Sequence, residues 1–126
     1  MNGIIWITEH QVRAIHNKQL ALFGGASGIL DQGKLSSALA RPRHIYTYNP
    51  SSSLYDLAAA YGWGLVKNHP FVDGNKRTDF VVMAAFLKVN GIELMVSEEA
   101  VVNTMIAVAA GDMSQEELCT WLQGDS

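Results

Sequence analysis

The sequence has one cysteine, three prolines and no apolar run approaching a membrane span in its 126 residues. A single thiol, Cys119, cannot close an internal disulfide, so an oxidising compartment is not required. With no histidine near it in sequence, Cys119 reads as a small core residue of the last helix rather than a nucleophile. The longest apolar stretch, Phe80–Leu87, is far too short to cross a bilayer. No basic leader precedes Ile4–Ile7, so a secretion signal is not expected, and the chain reads as cytoplasmic with no membrane association. Basic residues are also few: nine Lys and Arg against twelve Asp and Glu give a formal charge of -3. That balance argues against a protein that binds nucleic acid directly. Internal repeats and low-complexity segments are absent.

What is present is apolar content: 48% of residues are hydrophobic, enough for a real core in a single domain spanning 1–126. Thr8 and Gln11 form a capping-box pattern for a first helix over about 9–22, ended by Gly24, Gly25 and Gly28. Asp31 can cap a second helix over roughly 32–41, which Pro42 should stop. Residues 42–51 then read as a polar, aromatic loop. One of Ser51–Ser53 caps a third helix running to about Asn68, in which Gly62 and Gly64 allow a neighbour to approach closely. A fourth helix begins near Asn75 and ends before Gly91. Its body is apolar on every side, as expected of a helix buried in the middle of a bundle. Ile92–Val96 reads as a short extended piece that could pair with Ile4–Ile7. Ser97 opens a fifth helix to about Ala110, and Ser114 with Glu117 a sixth to about Leu122. The expected fold is all-α, a compact bundle of about six helices with the central one at about 75–90.

The chemistry concentrates in His69-Pro-Phe-Val-Asp-Gly-Asn-Lys-Arg77. Two cations at a helix start are unfavourable, because that end already carries the positive pole of the macrodipole. A bound anion relieves this, and phosphate is the usual one. Gly74 clears side-chain obstruction from the first-turn N–H groups, Asn75 can add a neutral donor, Lys76 a point charge and Arg77 a bidentate fork. Asp73 is the right ligand type for Mg²⁺, which commonly uses one carboxylate with phosphates and waters. His69 can accept a proton from a hydroxyl nucleophile near neutral pH. Taken singly, each has an ordinary reading: His69 as a helix C-cap, Asp73-Gly74 as a turn, Lys76 and Arg77 as a solvated first turn. The order and density of the set favour a phosphate site with a base. It is not a Walker loop.

The nine residues resemble the signature of the Fic/Doc superfamily, His-x-Phe-x-Asp/Glu-Gly/Ala-Asn-Lys/Gly-Arg. The resemblance extends to Gly24-Gly25…Gly28-Ile-Leu-Asp31, on through Gly33, Leu35 and Ala38-Leu-Ala-Arg-Pro-Arg43. It also takes in Asp56-Leu-Ala-Ala-Ala-Tyr-Gly-Trp-Gly64 and Ala109-Ala-Gly-Asp-Met-Ser-Gln-Glu-Glu-Leu118. Two departures from the adenylyl-transferring members stand out. Lys76 occupies a position usually held by Gly, and Phe80 stands where a second Arg is usual. Both match the death-on-curing (Doc) toxins, which resemble kinases that move the ATP γ-phosphate to a threonine of elongation factor Tu and halt translation.

The resemblance implies His69 as base, Asp73 as the holder of Mg²⁺ and phosphate, and Gly74, Asn75, Lys76 and Arg77 as the anion site. Catalysis would fall to His69, Asp73, Lys76 and Arg77, with Phe71 as a core anchor. Arg41, Arg43 and Tyr46, with Tyr48, would help dock the target segment. Many relatives carry an inhibitory Ser/Thr-x-x-x-Glu helix. None of Glu9, Glu93, Glu98, Glu99, Glu116 and Glu117 has Ser or Thr four residues before it. Inhibition would then come in trans, from an antitoxin whose disordered tail folds on binding. An adenylyltransferase on the same site, and a non-catalytic binding module, are the alternatives.

Overall fold

Six helices make up the computed structural model, which describes residues 3–124: α1 (Glu9–Phe23), α2 (Gln32–Tyr48), α3 (Leu54–Asn68), α4 (Asn75–Val89), α5 (Glu98–Ala110) and α6 (Gln115–Leu122). The caps legible in the sequence are formed. Thr8 with Gln11, Ser53 with Asp56 and Ser114 with Glu117 close capping boxes, and Asp31 and Ser97 accept from the third residue beyond them. Each satisfies N–H groups that the first helical turn cannot satisfy itself, worth about 1 kcal/mol per cap.

The most deeply enclosed helix is α3, which packs against α2, α4, α5 and α6. Leu57, Ala58, Ala59, Ala60, Tyr61, Gly62, Gly64 and Leu65 are all buried. α4 buries one broad face, through Asn75, Thr78, Asp79, Val82, Met83, Phe86 and Leu87, while Phe80, Val81, Ala84 and Ala85 remain partly exposed. Tyr61, Phe71 and Phe86 are fully buried, each contributing on the order of 2–3 kcal/mol. The two glycines inside α3 differ in what they admit. Gly64 lets α3 settle against Ala38 and Arg41 of α2, whereas the space beside Gly62 is filled by the Met83 side chain.

Two expectations are corrected. α2 does not stop at Pro42 but continues to Tyr48, so the expected 42–51 loop shrinks to the residues after Tyr48. Leu35, Ala38 and Pro42 are buried on one side, and Ile45 and Tyr46 extend that side by another turn. Packing against α3 outweighs the hydrogen bond that Pro42 removes. The second correction concerns Ile4–Ile7 and Ile92–Val96, neither of which forms a strand. The Asn90 carboxamide takes the part of a strand edge instead, accepting from the Ile5 N–H at 2.9 Å and donating to the Ile5 oxygen at 2.9 Å. The Tyr61 hydroxyl anchors the next turn, accepting from Ile7 N–H at 3.0 Å. Among the described residues no helix is long and apolar enough to cross a membrane.

Candidate active site

The loop between α3 and α4 is held from three directions. At its start His69 caps α3 in the left-handed region, φ 47° and ψ 60°. It is the one non-glycine residue with positive φ among those described, a conformation that costs energy and concentrates at functional sites. From one side the 24–31 segment pairs with it: Leu30 N–H donates to Pro70 O at 2.7 Å, and Val72 N–H donates to Gly28 O at 3.1 Å. From beneath, Phe71 enters the core as the sequence implies, fully buried. The buried His16 ring stacks on it, and its Nε2 lies 2.7 Å from the Asp73 main-chain oxygen. A carbonyl only accepts, so Nε2 carries the hydrogen there.

Asn75 has a different role from the one the sequence suggests. Its carboxamide accepts from Phe71 N–H at 3.0 Å and donates to Phe71 O at 2.9 Å, with the His69 ring nitrogen 3.4 Å away. The side chain staples the loop and orients the histidine, leaving its main-chain N–H as what Asn75 can offer an anion.

α4 is alone among the six described helices in having no side-chain cap. Its N-cap is Gly74, at φ 75°, a backbone position that disfavours any side chain. The first-turn N–H groups are therefore left for a ligand. Lys76 and Arg77 flank them, both exposed, with no acidic partner among the described residues. Asp73 lies at the rim: Oδ1 accepts from Gly74 N–H at 2.8 Å and Oδ2 from Ala26 N–H at 3.3 Å. These bonds fix the carboxylate and leave lone pairs on both oxygens. No cluster of three or more His, Cys, Asp or Glu occurs among the described residues. The carboxylate suits a cation completed by phosphates and water, as Mg²⁺ is.

His69, Asp73, Gly74, Asn75, Lys76 and Arg77 line one cleft of about 580 Å³. Its far wall is apolar, formed by Val101, Val102, Met105 and Ile106 of α5. Arg41, Arg43 and Tyr46 are not part of it. They sit on α2, where Arg41 bonds Gln115 and lies over Trp63, while Arg43 and Tyr46 meet Trp6. A helix there has no free backbone edge to offer an extended peptide.

Three residues near the site escaped the sequence reading: His16, Phe23 and Asp79. The Phe23 ring lies under the Arg77 guanidinium at 4.1 Å. Asp79 is fully buried one turn into α4, and neither carboxyl oxygen has a hydrogen-bond partner. Burial drives its pKa well above the usual carboxylate value, against the weaker opposing pull of Lys76, and so favours the protonated form. Its one sequence signal is a carboxylate in the run that should face the core.

The all-helical domain thus gathers a histidine, a fixed carboxylate and an uncapped, doubly cationic helix start in one cleft. Residues 6–87 match the Fic/DOC family, and the chain belongs to that family. It is 42% identical over 73 residues to Toxin Doc of Mycolicibacterium smegmatis (strain ATCC 700084 / mc(2)155), an alignment covering 57% of this chain and 56% of that protein. It is 26% identical over 117 residues to Protein kinase doc of Escherichia phage P1, covering 93% of this chain and 92% of that one.

Proposed function

We propose that the chain is a Doc-like toxin of the cytoplasm, a protein threonine kinase that transfers the ATP γ-phosphate to elongation factor Tu and arrests translation. The observation that carries this reading is the make-up of the cradle: Lys76 stands in its first turn, and no second arginine follows Arg77. The residue in that place, Phe80, turns to α6 and meets Trp121 edge-on at 6.4 Å. A clamp for an α-phosphate is therefore missing, while a point charge suited to the γ-phosphate is added. The name of the phage P1 relative, a protein kinase, supports the same choice.

In this reaction the threonine oxygen forms a bond to the γ-phosphorus, and the bond from that phosphorus to the β–γ bridging oxygen breaks, releasing ADP. The hydroxyl proton passes to the His69 ring. The α4 N–H groups, Lys76 and Arg77 stabilise the charge on the equatorial oxygens, and most of the rate would come from such positioning. Mg²⁺, held by Asp73 with phosphate oxygens and water, would neutralise nucleotide charge.

Restraint would come from an antitoxin whose disordered tail folds on the toxin. Two features support it: the chain has no Ser/Thr-x-x-x-Glu motif, and the apolar wall of the cleft exposes Val102 and Ile106, each 51% accessible.

The test is to incubate the protein with elongation factor Tu and ATP labelled at either the γ or the α position. The kinase reading expects label on the factor from γ-labelled ATP alone. Label from the α position alone would make the protein an adenylyltransferase.

A further inference from the structure

Arg77 is the cation of the site best shaped to grip a phosphate, and the protein holds it without an acid. Its guanidinium carbon lies 4.1 Å from the centroid of the Phe23 ring, the last residue of α1. The ring is 52% exposed, so it does not serve the core. Isolated exposed aromatics are common and need no explanation; the distinguishing fact is what this one touches.

The chain immediately after the ring reaches the carboxylate of the site. Ala26 N–H donates to Asp73 Oδ2 at 3.3 Å, and a Cβ at Gly25 would stand 2.8 Å from that same oxygen. Gly24 and Gly25 take positive φ, 79° and 121°, which turns the chain sharply enough for four consecutive residues to meet both. Phe23-Gly-Gly-Ala26 thus braces two residues of the cleft from behind, with a ring against the cation and a backbone donor on the acid.

We infer that Phe23 is a positioning residue for Arg77, holding the guanidinium ready for the transferred phosphoryl group. A cation–π contact occupies the face of the guanidinium. Phosphate is bound through the N–H edge, in the plane of the group. The two uses do not compete, whereas an acidic partner would take the edge. The ring thereby restrains a long, otherwise mobile side chain and leaves every donor free. Its effect should be felt most in the transition state, where charge on the phosphoryl oxygens is greatest.

The reaction that reads this role is the one proposed above, but the contact itself does not depend on it. Phe23→Leu keeps an apolar side chain and removes the ring; Phe23→Trp keeps a ring. In γ-phosphate transfer to elongation factor Tu, Phe23→Leu should lose about fivefold in kcat with a smaller rise in KM for ATP, and Phe23→Trp should recover most of it. Equal kcat for Phe23→Leu and the parent protein, with both equally folded by thermal melting, overturns the inference. A second measurement stands apart from activity. The Arg77 side-chain protons should show an upfield ring-current shift by NMR in the parent and in Phe23→Trp, lost in Phe23→Leu together with part of the affinity for inorganic pyrophosphate. If the parent transfers no label, the proposed function fails instead, and the role of Phe23 is decided here: unshifted Arg77 protons, or unaltered pyrophosphate binding in Phe23→Leu, contradict it.

Discussion

The imidazole of His16 holds the main-chain oxygen of Asp73, with Nε2 2.7 Å from it, while the ring lies on Phe71 at 3.9 Å and 13° from parallel. One buried side chain thus fixes the height of the residue that presents the site's carboxylate. Its two contacts can be separated. His16→Phe keeps the stack and removes the donor, leaving the Asp73 carbonyl unpaired at a cost of about 1–2 kcal/mol. His16→Ala removes both and should cost about 2–4 kcal/mol. Chemical denaturation measures the stabilities. The His16→Phe protein should lose transfer activity out of proportion to its stability, since its core is kept and its carboxylate is not.

Asp79 should make the fold less stable as the pH rises. Below the ordinary carboxylate pKa, folded and unfolded chains both hold the proton. Above it the unfolded chain releases the proton, while burial keeps it on the folded one. Stability then falls by roughly 1.4 kcal/mol per pH unit until the raised folded pKa is reached. Asp79→Asn should abolish this slope and be the more stable protein at neutral pH. Melting curves from pH 4 upward check it, and parallel curves for the two proteins would contradict it.

Gly62 should resist replacement although it lies inside a helix, where alanine is normally better by about 1 kcal/mol. A Cβ there would overlap the buried Met83 side chain. Gly62→Ala should therefore destabilise by about 1–3 kcal/mol. Adding Met83→Ala should relieve the clash, so that the double variant is more stable than the sum of the two single changes. A denaturation double-mutant cycle measures that coupling.

The Cys119 thiol should be inert in the folded protein. Burial pushes its pKa up to about 12, helped by the hydrogen bond and charge of Asp56, whose Oδ1 it faces at 3.2 Å. Alkylation at neutral pH needs the thiolate. Labelling should be slow under native conditions and fast in denaturant, with mass spectrometry as the readout.

These residues show why some of the fold was legible in the sequence and some was not. Helix starts depend on side chains three residues apart, so Thr8, Asp31, Ser97 and Ser114 could be read directly. The residues proposed to hold phosphate are equally local, since Asp73 to Arg77 are consecutive. Pro42 is a local helix-stop signal that the α3 surface it packs on overrides. The apolar spacing Leu35, Ala38, Pro42, Ile45 already ran through it. His16 and Asp73 are 57 residues apart, and no local pattern announces such a pair. The same holds for Phe23 beneath Arg77 and for the carboxamide of Asn75, which its residue type alone presents as a free donor.

We propose that the His69–Arg77 loop drives phosphoryl transfer. Its most direct test is the intact mass of elongation factor Tu after incubation with the protein, ATP and Mg²⁺, alongside His69→Ala. The factor should gain one phosphoryl group, located on a threonine and absent with His69→Ala. A gain of one adenylyl group, or an unchanged factor with protein that still arrests translation, would contradict it.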